Sequence, residues 1–320
     1  MKKTTKTWLI IAGALVLAGC IVFAVVMSTI GWDFKKLSTV KYETNTYEVG
    51  EAFGGISIDT NTADVVLALS DDGKCRVECY EEENAKHSVA VLGNMLTVKV
   101  NDTRSFYDYI GFYFGSPKIT VYLPQAEYNS LLISGSTGRV DVPKGLTFEN
   151  ADIALSTGNI YFGASVVGAV KFKTSTGNIR AEGESAGLLD ISTTTGTVTI
   201  SGMICGGSVT VDVTTGKADL TGVSCKSVIS KGSTGNIVLN KVIASEKFSV
   251  KRSTGNVKFN DCDAAEIYVK TDTGDVTGSL LSDKVFIANS DTGSVDVPKT
   301  SAGGRCEIDT NTGSIRMTVK

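Results

Sequence analysis

The sequence predicts an all-β fold: a parallel β-solenoid, built as a right-handed β-helix of about 19–20 residues per coil, with an N-terminal transmembrane helix and a small antiparallel β cap. Three observations carry this reading. A Thr-Gly pair returns ten times, with glycines at Gly138, Gly158, Gly177, Gly196, Gly216, Gly235, Gly255, Gly274, Gly293 and Gly313, always 19 or 20 residues apart. Apolar residues around each glycine are spaced by two: position +2 is β-branched in nine of ten repeats (Val140, Ile160 and so on, with Ala218 the exception), and a second apolar pair precedes the glycine, as in Leu131/Ile133, Val209/Val211 and Phe248/Val250. Finally, Trp8 to Ile30 is an uncharged run of 23 residues.

A spacing of two amid Gly, Ser and Thr is hostile to helices and suits strands. One unit of about 20 residues cannot bury its apolar face alone, whereas stacked units share a continuous core. At roughly 4.8 Å per strand spacing, ten coils make a rod on the order of 50 Å long. The right hand follows from the general rule for parallel crossovers. The repeated glycine marks a turn that needs positive φ, where a Cβ costs roughly 1–2 kcal/mol.

In chain order, residues 1–7 form a cytoplasmic tail carrying Lys2, Lys3 and Lys6. Residues 8–30 form the membrane anchor, about 35 Å long as a helix, with Trp8 and Trp32 as interface residues. The basic flank places the rest of the chain outside the cytoplasmic membrane. Leu17-Ala18-Gly19-Cys20 also matches a lipoprotein cleavage box, with Cys20 as the acylated residue, although the chain stays strongly apolar through Met27. Residues 31–54 are a juxtamembrane segment with little pattern. Within residues 55–130, Ile56 to Leu67 reads as a degenerate first coil with Ala63 in place of the glycine; strand-like runs follow, and Gly93-Asn94 reads as a hairpin turn between two of them. These runs make a cap over the first coil, whose edge is otherwise exposed. The solenoid proper occupies residues 131–320, and the last coil is expected to be its open end.

The net charge of −3 gives no basic footprint for nucleic acid. Seven cysteines form no dense disulfide framework; Cys205 and Cys225 fall on adjacent coils as small buried residues, and Cys75 and Cys79 share a strand face. The single histidine, His87, is read as a surface residue of the cap, which leaves little room for histidine-based acid–base or metal chemistry. Asp272-Thr273-Gly274 and Asp291-Thr292-Gly293 spell the aspartic-protease triplet, yet other repeats carry Ser, Thr or Asn in that slot, so they read as polar turns. Asp272, Asp275, Asp291 and Asp296 likewise read as solvated turns and not as a calcium site. Lys171, Lys173, Arg180 and Glu182 form no single catalytic column, and pairs such as Thr174/Thr176 and Thr271/Thr273 sit at turns and not on a flat face. The candidate partner-binding residues are Phe106, Tyr107, Tyr109, Phe112, Tyr113 and Phe114, which form either an exposed binding loop or a hydrophobic plug over the first coil. No catalytic, cofactor or metal residues are assigned.

The anchor, the degenerate first coil, the cap and the Ser-Thr-Gly-Asn-Ile ladders at 156–160, 175–179 and 233–237 resemble the bacterial putative-adhesin β-strand-repeat family of unknown function; the Trp32-Asp33-Phe34 start and the Gly115-to-Val121 strand look like its Gram-positive members. The resemblance implies a cell-envelope or envelope-stress role and carries over no catalytic residue. The expected function is a non-enzymatic, membrane-anchored, adhesin-like binding or scaffolding module whose partner is a cell-wall glycan or an envelope protein. A glycan-active β-helix enzyme and a regulatory partner of an envelope-stress signalling system are the alternatives.

Overall fold

The computed structural model describes residues 3–37, 40–105 and 115–320. Helix α1, Lys3–Thr29, is uncharged after Lys6 and exposed along nearly all its length, with Met27 buried near its end, and it is long and apolar enough to cross a membrane. It ends in a Schellman turn: Gly31 takes φ +67°, its N–H donates to Ser28 O, and the Trp32 N–H donates back to Met27 O at 2.8 Å. The Trp32 ring then meets Phe23 edge-on at 6.5 Å.

The solenoid stacks in register. Ile133, Ile153, Phe172, Ile191 and Val211 form one buried column through consecutive parallel ladders. The residues two after the glycine form another, Val140 pairing with Ile160, Ile160 with Ile179 and Ile179 with Val198, each at most 1% exposed. All ten repeat glycines take positive φ, between 125° and 154°. A second constraint is stronger. A Cβ on Gly235 lands 1.7 Å from the Gly216 carbonyl oxygen, and one on Gly177 lands 1.9 Å from that of Gly158, so the coils close against each other along this column.

The polar residues of the motif serve the same contact. Thr174, Thr193 and Thr271 are buried, and each hydroxyl donates to the glycine carbonyl of the preceding coil at 3.2–3.3 Å. The asparagine after the glycine accepts the next coil's backbone N–H, Asn159 from Asn178 and Asn236 from Asn256, both at 2.8 Å. Hence the first threonine of each Thr-x-Thr pair is an internal strut and the second faces solvent.

The degenerate first coil is real. Strands β2 (Gly55–Thr60) and β3 (Asp64–Leu69) run parallel to β8 (Glu127–Thr137) and β9 (Val140–Val142), pairing Ile56 with Leu131, Ile58 with Ile133 and Val65 with Val140. On the outer side β6 (Met95–Asp102) lies parallel to β2, and β7 (Lys118–Leu123) parallel to β3, so the cap begins with an imitation coil. Only beyond them does pairing turn antiparallel: β5 (Ala85–Leu92) on β6, β4 (Cys75–Glu82) on β7, and β1 (Tyr42–Val49) on β4. Gly93 and Asn94, at φ 54° and 66°, turn the β5–β6 hairpin in the type I′ manner. Strand β1 arises in the stretch that shows little sequence pattern.

The far end departs from sequence order. The Gly274 coil pairs not with the Gly293 coil but with the Gly313 coil, Ile267 opposite Cys306 and Val269 opposite Ile308. The Gly313 coil pairs in turn with the Gly293 coil, Phe286 opposite Cys306 and Val295 opposite Ile315. The chain skips one level, lays down the Gly293 coil, and returns through residues 297–303 to fill the gap. The expectation that the last coil in sequence is the open end is therefore corrected: that coil is interior, with Ile308 and Ile315 buried, and the Gly293 coil is the edge, with Val295 44% exposed.

Candidate functional site

The aromatic run Phe106, Tyr107, Tyr109, Phe112, Tyr113 and Phe114 lies outside the described residues. Its flank is anchored: Arg104 Nη1 meets Glu82 Oε2 at 3.1 Å, and Nε donates to Asp102 Oδ1 at 2.9 Å.

The other sequence candidates fall where turns and ladders need them. Asp272 and Asp291 are exposed and stand two levels apart, because the Gly313 coil lies between their coils. Asp275 Oδ1 accepts the Ser314 N–H at 2.7 Å, a structural role. Arg180 Nε donates to Glu182 Oε1 at 2.6 Å on the surface. Cys205 and Cys225 are buried and unbonded on adjacent coils, and burial pushes their thiols up to about 11 and about 12. Cys75 and Cys79 are both buried on one face of β4.

The structure brings together a groove that the sequence did not announce. It holds about 850 Å³ and opens where three connections meet: residues 50–53 between β1 and β2, the turn at Asp72-Gly73 between β3 and β4, and residues 124–126 before β8. Its floor is apolar. Half-buried Phe53 stacks on Tyr128, ring centroids 5.9 Å apart and 19° from parallel, and Tyr128 rests in turn on Phe148 at 5.8 Å. The Tyr128 hydroxyl donates to Pro124 O at 2.8 Å, and burial pushes its pKa up to about 12, so it stays a neutral anchor. The rim carries Glu48, Glu51, Asp72 and Lys74. The Ser70 hydroxyl and the Lys74 N–H donate to Asp72 and hold its carboxyl below the usual range. Loops carried on a rigid scaffold, with an aromatic floor and a few polar groups, make the ordinary anatomy of a binding site.

A second polar group is buried under the cap and overturns the reading of His87 as a surface residue. His87 is 5% exposed and Glu81 is fully buried. His87 Nδ1 lies 2.7 Å from Glu81 Oε2, which also accepts the His87 backbone N–H at 2.6 Å. Asn45 Nδ2 donates to Glu81 Oε1 at 2.8 Å, Thr60 Oγ1 lies 3.1 Å from His87 Nε2, and the Tyr47 hydroxyl donates to His87 O at 3.1 Å. The physical reason is the strand period. Ala85, His87 and Val89 alternate with exposed Lys86 and Ser88, so His87 points inward with its apolar neighbours. That alternation is visible in the sequence once the strand is started at Ala85.

An extended parallel solenoid with a grooved, polar-cored cap defines a class of repeat module. The chain belongs to the Toastrack DUF4097 family, whose model matches residues 53–221, in keeping with the resemblance carried by the Ser-Thr-Gly-Asn-Ile ladders. None of the curated proteins matches the chain. Among solved structures it is similar to a putative adhesin from Parabacteroides merdae ATCC 43184 (14% identity, 77% of this chain and 98% of that one, TM-score 0.49). It is also similar to a putative adhesin from Parabacteroides distasonis ATCC 8503 (13%, 87% and 98%, TM-score 0.47). A third similar structure is a putative lipid binding protein from the same P. distasonis strain (13%, 88% and 98%, TM-score 0.29).

Proposed function

We propose that this chain is a non-enzymatic module that is held to the cell membrane by α1 and binds or scaffolds an envelope component from the outer side. Lys2, Lys3 and Lys6 ahead of the uncharged run Trp8 to Ile30 support a single span with the repeats outside. Acylation at Cys20 is the alternative anchor and leaves the repeats on the same side. The observation that carries the binding reading is the groove. Its stacked Phe53–Tyr128 floor offers an aromatic face, and its rim offers carboxylates that accept hydroxyl or amide protons, a combination suited to a wall glycan.

The glycan-active alternative draws on the same rim, where Glu48, Glu51 and Asp72 stand together. Glycoside hydrolysis asks one carboxyl to stay protonated near neutral pH as general acid. Asp72 is held in the opposite state by its hydrogen bonds, which unsuits it to the general-acid role.

The test is a retention assay with the full chain in detergent micelles against fractionated wall polymers and solubilised envelope proteins. Phe53→Ala is expected to weaken retention of the bound fraction about tenfold, or ~1.4 kcal/mol, as truncating an aromatic anchor does. Retention equal to the wild type would remove the groove as the site. Retention of a protein fraction alone would replace the glycan with a protein partner.

A further inference from the structure

We propose that Cys79, Glu81 and His87 form a buried binding site for a divalent cation of the zinc class, bonded through Sγ, a carboxylate oxygen and Nδ1. The three candidate ligand atoms lie within 4.8 Å of one another, and among the described residues this is the one such group of three. A tetrahedral ion with bonds of about 2.0–2.3 Å separates its ligands by roughly 3.3–3.8 Å, so small side-chain rotations close the site. Thiolate, imidazole and carboxylate together match zinc better than calcium or magnesium, which want oxygen alone.

The topology brings the ligands together. Cys79 and Glu81 are two apart on β4 and face the same way; a tight turn at Glu83-Asn84 then brings β5 back and delivers His87 beside them. Supporting groups are already in place. Asn45 holds the Glu81 oxygen that faces away from His87, and the Tyr47 hydroxyl fixes the His87 carbonyl. Thr60 Oγ1 sits on Nε2, the ring nitrogen that a metal at Nδ1 leaves free to donate. Three protein ligands leave the fourth position of a tetrahedral zinc to a water. Binding releases the Cys79 thiol proton to solvent, and the imidazole proton moves from Nδ1 to Nε2, which then donates a hydrogen bond to Thr60 Oγ1. The groove lies at a different corner of the cap and shares no lining residue with this site, so the proposal stands independently of the binding function.

The experiment is a Co²⁺ titration of the full chain in detergent micelles, followed by displacement with Zn²⁺. One equivalent is expected to give a thiolate-to-cobalt charge-transfer band and the intense visible bands of a tetrahedral ion, both erased by Zn²⁺. Cys79→Ser should lose the charge-transfer band, and His87→Gln should weaken binding at least about tenfold. No charge-transfer band on the wild type, or a band that persists in Cys79→Ser, overturns the proposal. X-ray absorption of the zinc-loaded wild type keeps the test decisive if the variants misfold. One sulfur with nitrogen and oxygen ligands supports the site, and a sulfur-free shell overturns it.

Discussion

Gly235→Ala is expected to destabilise the solenoid by about 2–5 kcal/mol in urea unfolding, far more than a surface substitution. Gly235 takes φ +125°, and a Cβ there meets Gly216 O at 1.7 Å and Gly216 C at 2.7 Å. The left-handed backbone contributes roughly 1–2 kcal/mol. Forcing a methyl against the carbonyl of the coil below adds about 1–3 kcal/mol, because backbone on both sides must move. Gly202→Ala separates the two contributions. Gly202 has φ +64° and open space for 4 Å around the point where a methyl would stand, so it should lose only the first, roughly 1–2 kcal/mol. Equal losses at the two positions would mean that the coils are not in contact along the glycine column. Since each coil touches only its neighbours, a lesion at Gly235 weakens the stack on both sides of it.

Deletion of residues 304–320 should release the Gly293 coil. Those residues supply the strands Gly304–Thr312 and Ile315–Val319, which separate the Gly274 and Gly293 coils and pair with both. Their loss uncovers Ile267, Val276 and Leu280 of the Gly274 coil, at about 1.5–3 kcal/mol of apolar burial for each side chain fully exposed. Residues 284–296 then have no level to rest on. Limited proteolysis of the deleted chain should cut within residues 284–292, which the full chain holds in a strand paired with Gly304–Thr312. Protection of that segment in the deleted chain would mean that the coils stack in sequence order. Carbodiimide cross-linking gives an independent reading, because Lys270 Nζ lies 3.3 Å from Asp309 Oδ2 and faces Asn289 only if the order is sequential.

The repeat was legible because its causes are local and recur. The glycine column, the β-branched column after it and the degenerate Ile56-to-Leu67 coil each follow from residues a few positions apart. The order of the last two coils was not legible, because every level offers nearly the same apolar columns and Val269 accepts Ile308 as readily as Ala288. At this level Gly278 lies opposite Met317 of the inserted coil and packs so closely on Phe259 that a Cβ would collide with the Phe259 carbonyl. Sequence order would instead place Val297 there, a residue that lies half-buried in the return loop. The site was less legible than the fold. Phe53, Asp72 and Tyr128 come from three connections tens of residues apart, and no local pattern joins them. His87 was readable in principle from its alternation with Lys86 and Ser88, but a strand begun at Ser88 leaves it outside.

The claim that this solenoid binds an envelope component without transforming it is tested most directly by incubating the full chain with purified wall glycan and analysing both the bound and the free material. The account predicts saturable retention, with the glycan recovered at its original chain length after prolonged incubation. Release of shortened or newly unsaturated fragments would contradict it, and would make Glu48, Glu51 and Asp72 on the groove rim the carboxylates to replace first.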